Sequence, residues 1–250
     1  MMIHRWIIIG LLLAAGKCHG QTDTNLVTTD FQIFAVLSFQ QDGIFYRPAP
    51  KEEMVEIRFR ARARSIESFP YSGQPLLQFF REDGFDEEGM QLYRVIGEVE
   101  VIARDMLIFF SENSRSGQNS LELSLLGIDD GPNGLPMDSV AFLNFAPVPF
   151  VGRFMDENVK INPGANAPIS VRKQLKKDVF IGLAVTDGET HHVVLKSRWQ
   201  FHPGNRHYIL LLPPQRAGSF RIRAYQITEF VGENPNFSSK LPSPQQFSQQ

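Results

Sequence analysis

Four arginines at every second position, Arg58, Arg60, Arg62 and Arg64, are the residues whose type and spacing most plainly offer chemistry. Val55, Ile57, Phe59, Ala61 and Ala63 alternate with them, which reads as an amphipathic strand. Strand geometry then puts all four guanidiniums on one face, about 6.7 Å apart. Such a face holds an anionic polymer, for instance a phosphorylated or uronic-acid glycan of a cell surface, through repeated charge-assisted contacts. The ordinary use of the same charges is cross-strand pairing. Glu98 and Glu100, on the polar parity of another segment, offer the opposite sign.

The remaining chemistry-bearing residues are sparse. His191 and His192 are adjacent and point to opposite faces of a strand, so they cannot share a metal. His202 and His207 flank Pro203-Gly204 and read as facing each other across a hairpin. Zinc takes three or four ligands, and two facing imidazoles fall short of that, so no metal site is expected. Asp83, Asp86, Glu87 and Glu88 form an acidic loop whose spacing does not fit an EF-hand, and solvation is its ordinary role. No nucleophile elbow, HExxH, phosphate-binding glycine loop or kinase signature occurs. Neither catalytic residues nor a cofactor are expected, although a triad defined by geometry alone would leave no mark in the sequence.

The elements that must position these residues read as strands throughout. Phe31, Ile33, Ala35, Leu37 and Phe39 share one parity, and Val95, Val99, Val101 and Ala103 share another. Leu76–Phe80, Met106–Phe110 and Leu121–Ile128 add short apolar runs. Beyond the turn-rich Asp129–Pro136, strand-length segments recur at 139–145, 149–155, 157–162, 167–173, 178–187, 190–201, 206–213 and 219–230. Trp199 shares parity with Val193, Leu195 and Phe201, so it reads as core. Connections this short imply antiparallel neighbours throughout, and no internal repeat is visible beyond the shared strand rhythm.

The fold class is therefore all-β: two antiparallel β-sandwich domains in series, at 31–130 and 139–231, joined by a linker at 131–138. The strand rhythm of the second resembles immunoglobulin-like or fibronectin-like sandwiches in general, without the Cys…Trp…Cys pattern of true immunoglobulin domains. Residues 1–20 read as a signal peptide, because a basic start precedes the ten-residue apolar run Trp6–Ala15, too short to span a bilayer. A leader at 21–30 follows cleavage after Gly20. Residues 232–250, rich in Pro, Ser, Asn and Gln, read as a disordered tail.

Composition narrows the function classes. The chain has 250 residues, 42% of them hydrophobic, which is enough for substantial cores. A net charge of −2, falling to −4 once Arg5 and Lys17 leave with residues 1–20, argues against a nucleic-acid binder. The single cysteine, Cys18, excludes a disulfide framework. Lys17 before it departs from the small residues of a lipid-anchoring site, so anchoring through Cys18 is the lesser reading. The expectation is an exported, non-enzymatic interaction or structural component of a cell envelope, periplasmic or extracellular, with an envelope protein or surface glycan as partner. No membrane span is expected in the mature chain. A polyanion-binding module using the arginine face is the second reading, and a hydrolase with a hidden site the third.

Overall fold

A computed structural model describes residues 26–36, 42–113, 121–131, 134–216 and 218–231. The expected signal peptide with Cys18, residues 21–25 of the expected leader, Leu37, Phe39 and the expected tail at 232–250 lie outside the described residues.

The N-terminal half comprises β1 (Val27–Ala35), β2 (Phe45–Tyr46), β3 (Val55–Glu56), β4 (Phe69–Gly73), β5 (Leu76–Phe85), β6 (Gln91–Glu100), β7 (Asp105–Glu112) and β8 (Leu123–Asp129). The C-terminal half comprises β9 (Ser139–Asn144), β10 (Phe150–Phe154), β11 (Glu157–Ile161), β12 (Gly164–Ala165), β13 (Ile169–Ser170), β14 (Asp178–Asp187), β15 (Thr190–Gln200), β16 (Asn205–Leu212) and β17 (Arg223–Phe230). The strands form four sheets, ordered β4-β1-β7-β8, β3-β2-β5-β6, β12-β9-β16-β17 and β11-β10-β14-β15, with β13 also on β9. The protein is all-β and sandwich-like, and the described residues contain no α-helix.

Burial orders the sheets into four layers. In the N-terminal half Phe31, Ile33, Ile108 and Phe110 of one sheet pack against Tyr46, Leu77, Phe79 and Ile96 of the other. Phe142, Ile209 and Leu211 pack likewise against Phe154, Ile181 and Leu183 in the C-terminal half. A third core joins the halves, where Phe34, Leu107 and Phe109 meet Leu143, Tyr208 and Leu210. The central sheets are thus covered on both faces, which requires the unbroken apolar runs of β7 (MLIFF) and β16 (YILLL). Strands of the outer sheets have one wet face and alternate, as β14 does.

Each half carries the same strand connectivity. β1 runs parallel to β7, and β9 runs parallel to β16. These pairs correct the expectation of purely antiparallel neighbours. The two parallel strands of each half are joined through the opposing sheet, and that excursion supplies the crossover a parallel pair needs. The likeness extends to an irregularity. The pairing of β5 with β6 skips Ile96 between Val95 and Gly97, while β14 with β15 skips Val194 between Val193 and Leu195. Both skipped residues point inward, at 0% and 4% exposure. The repeat missing from the sequence is therefore present in topology, because a strand order asks only for pattern and leaves side-chain identity free. The bulge also reverses parity, so Val193 is exposed, whereas Trp199, beyond the bulge, packs against the core as expected.

Other boundaries shift for local reasons. β1 starts at Val27, inside the expected leader, because Val27–Phe31 pairs with β4. Within 167–173 only Ile169–Ser170 is strand, and Arg172–Gln174 turns as a short 3-10 segment. No described helix is long and apolar enough to cross a membrane.

Candidate functional site

The arginine segment does not form the expected strand. Only Val55–Glu56 pairs as one, after which the chain crosses from the outer to the central sheet of its half. Ile57 is buried and its N–H donates to Ile44 O at 2.8 Å. The Phe59 ring meets Phe110 edge-on at 5.5 Å. Ala61 bridges Ala35 and Arg64 bridges Phe34, both on β1. Between those bridges Arg62 adopts φ +58°, with its N–H donating to Ala35 O at 2.8 Å. That left-handed residue turns the chain and ends the regular alternation, at a cost of about 1–2 kcal/mol for an L-residue.

The four guanidiniums consequently have different environments. Arg58, Arg60 and Arg62 are exposed, and Arg64 turns inward. Glu98 and Glu100 do not neutralise the segment, since β6 pairs with β5 and Glu98 accepts instead from Gln78 at 2.7 Å. Arg58 has a loose pair with Glu56 at 3.6 Å, its own side chain 86% exposed. Among the described residues Arg60 and Arg62 have no carboxylate within ion-pair distance. Arg58, Arg60 and Arg64 border a hollow of about 240 Å³ beside Ile66 and Glu67. Arg62 and Arg64 border a second recess of about 420 Å³, floored by Phe34 and Leu210 between the halves.

Arg64 belongs to a square of alternating charge that spans the two halves. It pairs with Asp130, which follows β8, and with Glu229 of β17 at 3.1 Å. Arg206 of β16 completes the square, 2.6 Å from Asp130 and 3.0 Å from Glu229. Tyr208 donates its hydroxyl to Glu229 at 3.1 Å, and Arg64 Nε donates to Gln32 at 2.8 Å. The four ionised side chains are 10–24% exposed. Two acids and two bases cancel, so the group orients one half against the other without a net buried charge. Sequence reasoning missed Asp130, Arg206 and Glu229. One signal was available: Glu229 continues the parity of Tyr225 and Ile227, a carboxylate where an inward apolar residue is due.

The other singled-out residues fall apart in space. β15 and β16 lie in different sheets, so His202 and His207 flank a crossover and not a hairpin. His202 is exposed, while His207 is fully buried beside Phe201, its Nδ1 3.0 Å from Thr228 Oγ1. Burial pulls the His207 imidazole down to about 4, with His202 adding repulsion and Asp138 opposing it. His191 lies 3.0 Å from Thr186, and His192 stacks on Phe220 at 4.4 Å. The acidic loop sits on the exposed β5–β6 turn, where Asp86 Oδ1 accepts from the N–H groups of Glu88 and Met90 and Asp83 pairs with Arg94. Burial pushes the Tyr46 phenol up to about 12, and burial with the Glu229 carboxylate raises that of Tyr208, so neither phenol is a base near neutrality. Among the described residues no group of three or more His, Cys, Asp or Glu is placed to hold a metal ion.

No protein-family model matches this chain, and no curated protein matches it. The arrangement itself offers two kinds of chemistry. The ion square locks orientation, and the exposed arginines above it present unneutralised positive charge.

Proposed function

We propose that this chain is an exported, non-enzymatic sandwich protein acting as an interaction or structural component of a cell envelope. The observation that carries the reading is the four-layer stack. The two halves share a core and an ion square, which makes the body a stiff spacer with its outer sheets and edges turned to solvent. Large interdomain cores suppress the domain motions that are otherwise the default. On this reading residues 1–20 direct export and leave by cleavage after Gly20. The C-terminal sandwich is akin to immunoglobulin- or fibronectin-like modules in general architecture. The protein is periplasmic or extracellular and meets an envelope protein or a surface glycan.

The test is a crosslinked pull-down of tagged protein from its native envelope, read by mass spectrometry, with N-terminal sequencing of the recovered chain. One partner at near-equal abundance and a chain starting at Gln21 support the proposal. Hydrolysis of a glycan or peptide panel by the purified chain refutes its non-enzymatic part.

A further inference from the structure

We infer that the segment Arg58–Arg62 is a binding site for an acidic polysaccharide, with Arg58, Arg60 and Arg62 as the ligand contacts and Arg64 as a positioning residue. The inference rests on the interaction reading above and adds the ligand class and the residues. It also departs from a four-arginine strand face, because the structure ties Arg64 into the ion square and splits the other three between two recesses.

Three observations carry it. The backbone is held in place before any ligand arrives, through buried Ile57, the Phe59–Phe110 contact and the two bridges to β1. Ser65 adds a further tie: its hydroxyl accepts from the Ile33 N–H at 3.0 Å and donates to Glu67 O at 2.9 Å. A preordered backbone lowers the entropy lost on binding. The charge is also available, since among the described residues the three exposed arginines make a single ion pair, the open Arg58–Glu56 contact. Lastly, the ridge bearing Arg60 and Arg62 has hollows on both sides, so a linear chain crossing it meets guanidiniums at successive positions.

A polysaccharide suits these features better than a nucleic acid. Single-stranded nucleic acids need exposed aromatic rings on which bases stack. Phe59 packs against the core, and the exposed Tyr225 at the second recess is a single ring, short of the successive platforms that stacked bases use. Ile66, 91% exposed at the rim of the first hollow, offers instead an apolar contact for the CH face of a sugar ring. Carboxylate or sulfate groups along the polymer take the guanidiniums by charge-assisted, bidentate hydrogen bonds.

The backbone at Arg62 supplies a discriminating variant. Its left-handed φ of +58° suits glycine better than arginine. Arg62→Gly should therefore leave the melting temperature unchanged or raised while weakening the ligand, which no loss of folding imitates.

The experiment is binding of the purified chain to polygalacturonate and to heparin, with neutral dextran as control, measured by affinity electrophoresis and calorimetry across a salt series. Saturable binding to one of the acidic polymers that weakens with salt is expected. Arg60→Gln with Arg62→Gln should lower affinity at least about tenfold, and Arg62→Gly alone should lower it severalfold. Lys196→Gln with Arg198→Gln, exposed on β15, should leave it unchanged. No binding at about 50 mM salt, or equal loss in the β15 pair, overturns the inference. Tighter binding to anionic phosphatidylglycerol vesicles or to oligo(dT) overturns it too. None of these failures touches the envelope pull-down, so the two proposals fall separately.

Discussion

Replacing Glu229 with Gln removes one corner of the ion square while keeping the shape of the side chain. The wild-type carboxylate accepts from Arg64 Nη1 at 3.1 Å, Arg206 Nε at 3.0 Å and Tyr208 Oη at 3.1 Å. All three reach the same oxygen, Oε2, so a glutamine carbonyl can take that place, but the amide then sets a donor where Oε1 accepts from Arg64 Nη1 at 3.3 Å. Its amide also loses the charge that offsets two guanidiniums, whose side chains are 24% and 10% exposed. Hydrogen bonds to charged groups contribute about 1.5–3 kcal/mol each, and breaking one partner of a buried pair costs about 3–5 kcal/mol. The square is only mostly buried, so the lower end applies: about 3 kcal/mol. Equilibrium urea denaturation measures it as a lower midpoint at unchanged slope. A companion variant, Arg206→Met with Glu229→Leu, replaces a charge pair by apolar groups and should cost less than the sum of its single changes by at least about 1 kcal/mol. A loss below about 1 kcal/mol for Glu229→Gln, together with strict additivity in the pair, would falsify the view that these charges behave as a buried unit.

Phe109→Ala opens the core between the halves, where its ring meets Tyr208 at 5.2 Å, and should cost about 3–5 kcal/mol. It should also turn one calorimetric transition into two; a single sharp transition in the variant refutes the shared-core argument. His207 has a folded value of about 4 against an unfolded value of 6.5, so the unfolded chain binds the proton first as pH falls. Stability is therefore unaffected above pH 6.5 and drops through the window down to pH 4, by at most about 3 kcal/mol. His207→Phe should remove that slope, and a wild-type-minus-variant difference that stays constant over pH 4–7 would contradict the assignment. Gly152→Ala would place a Cβ 2.0 Å from the Gly182 carbonyl oxygen on the neighbouring strand. It should cost at least about 3 kcal/mol by chemical denaturation. Gly182→Ala, whose nearest neighbour is the movable Phe180 ring at 3.1 Å, should cost under about 1 kcal/mol.

Much of the fold was legible because strands carry a local signature. β14 spans Asp178–Asp187, the segment its alternation marks out, and β9, β10, β11, β15 and β16 fall within a residue or so of their sequence-derived positions. Alternation failed at Ile96 and Val194, where one inserted residue reverses which parity faces inward. It misled more at Arg58–Arg64. That segment has perfect period-two spacing, yet the left-handed turn at Arg62 and the attraction of Asp130 and Glu229 for Arg64 outweigh the pattern. The candidate site was accordingly half legible: its exposed arginines were recognisable by type and spacing, but the acids that withdraw Arg64 were not.

By itself, the sequence determined that this chain builds sandwich-like sheets from short strands, since backbone pairing and side-chain alternation are properties of five to ten neighbouring residues. The apolar runs of β7 and β16 also carried a latent message, that some strands are covered on both faces. Only the tertiary structure decided which strands became central, that β1 and β9 each lie parallel to a strand far along the chain, and that the two halves share one topology. It alone brought Arg64, Asp130, Arg206 and Glu229 together, from positions as far as 165 residues apart. Charges attract through space and not along the chain, so the partners of a buried ion are set by how the sheets stack.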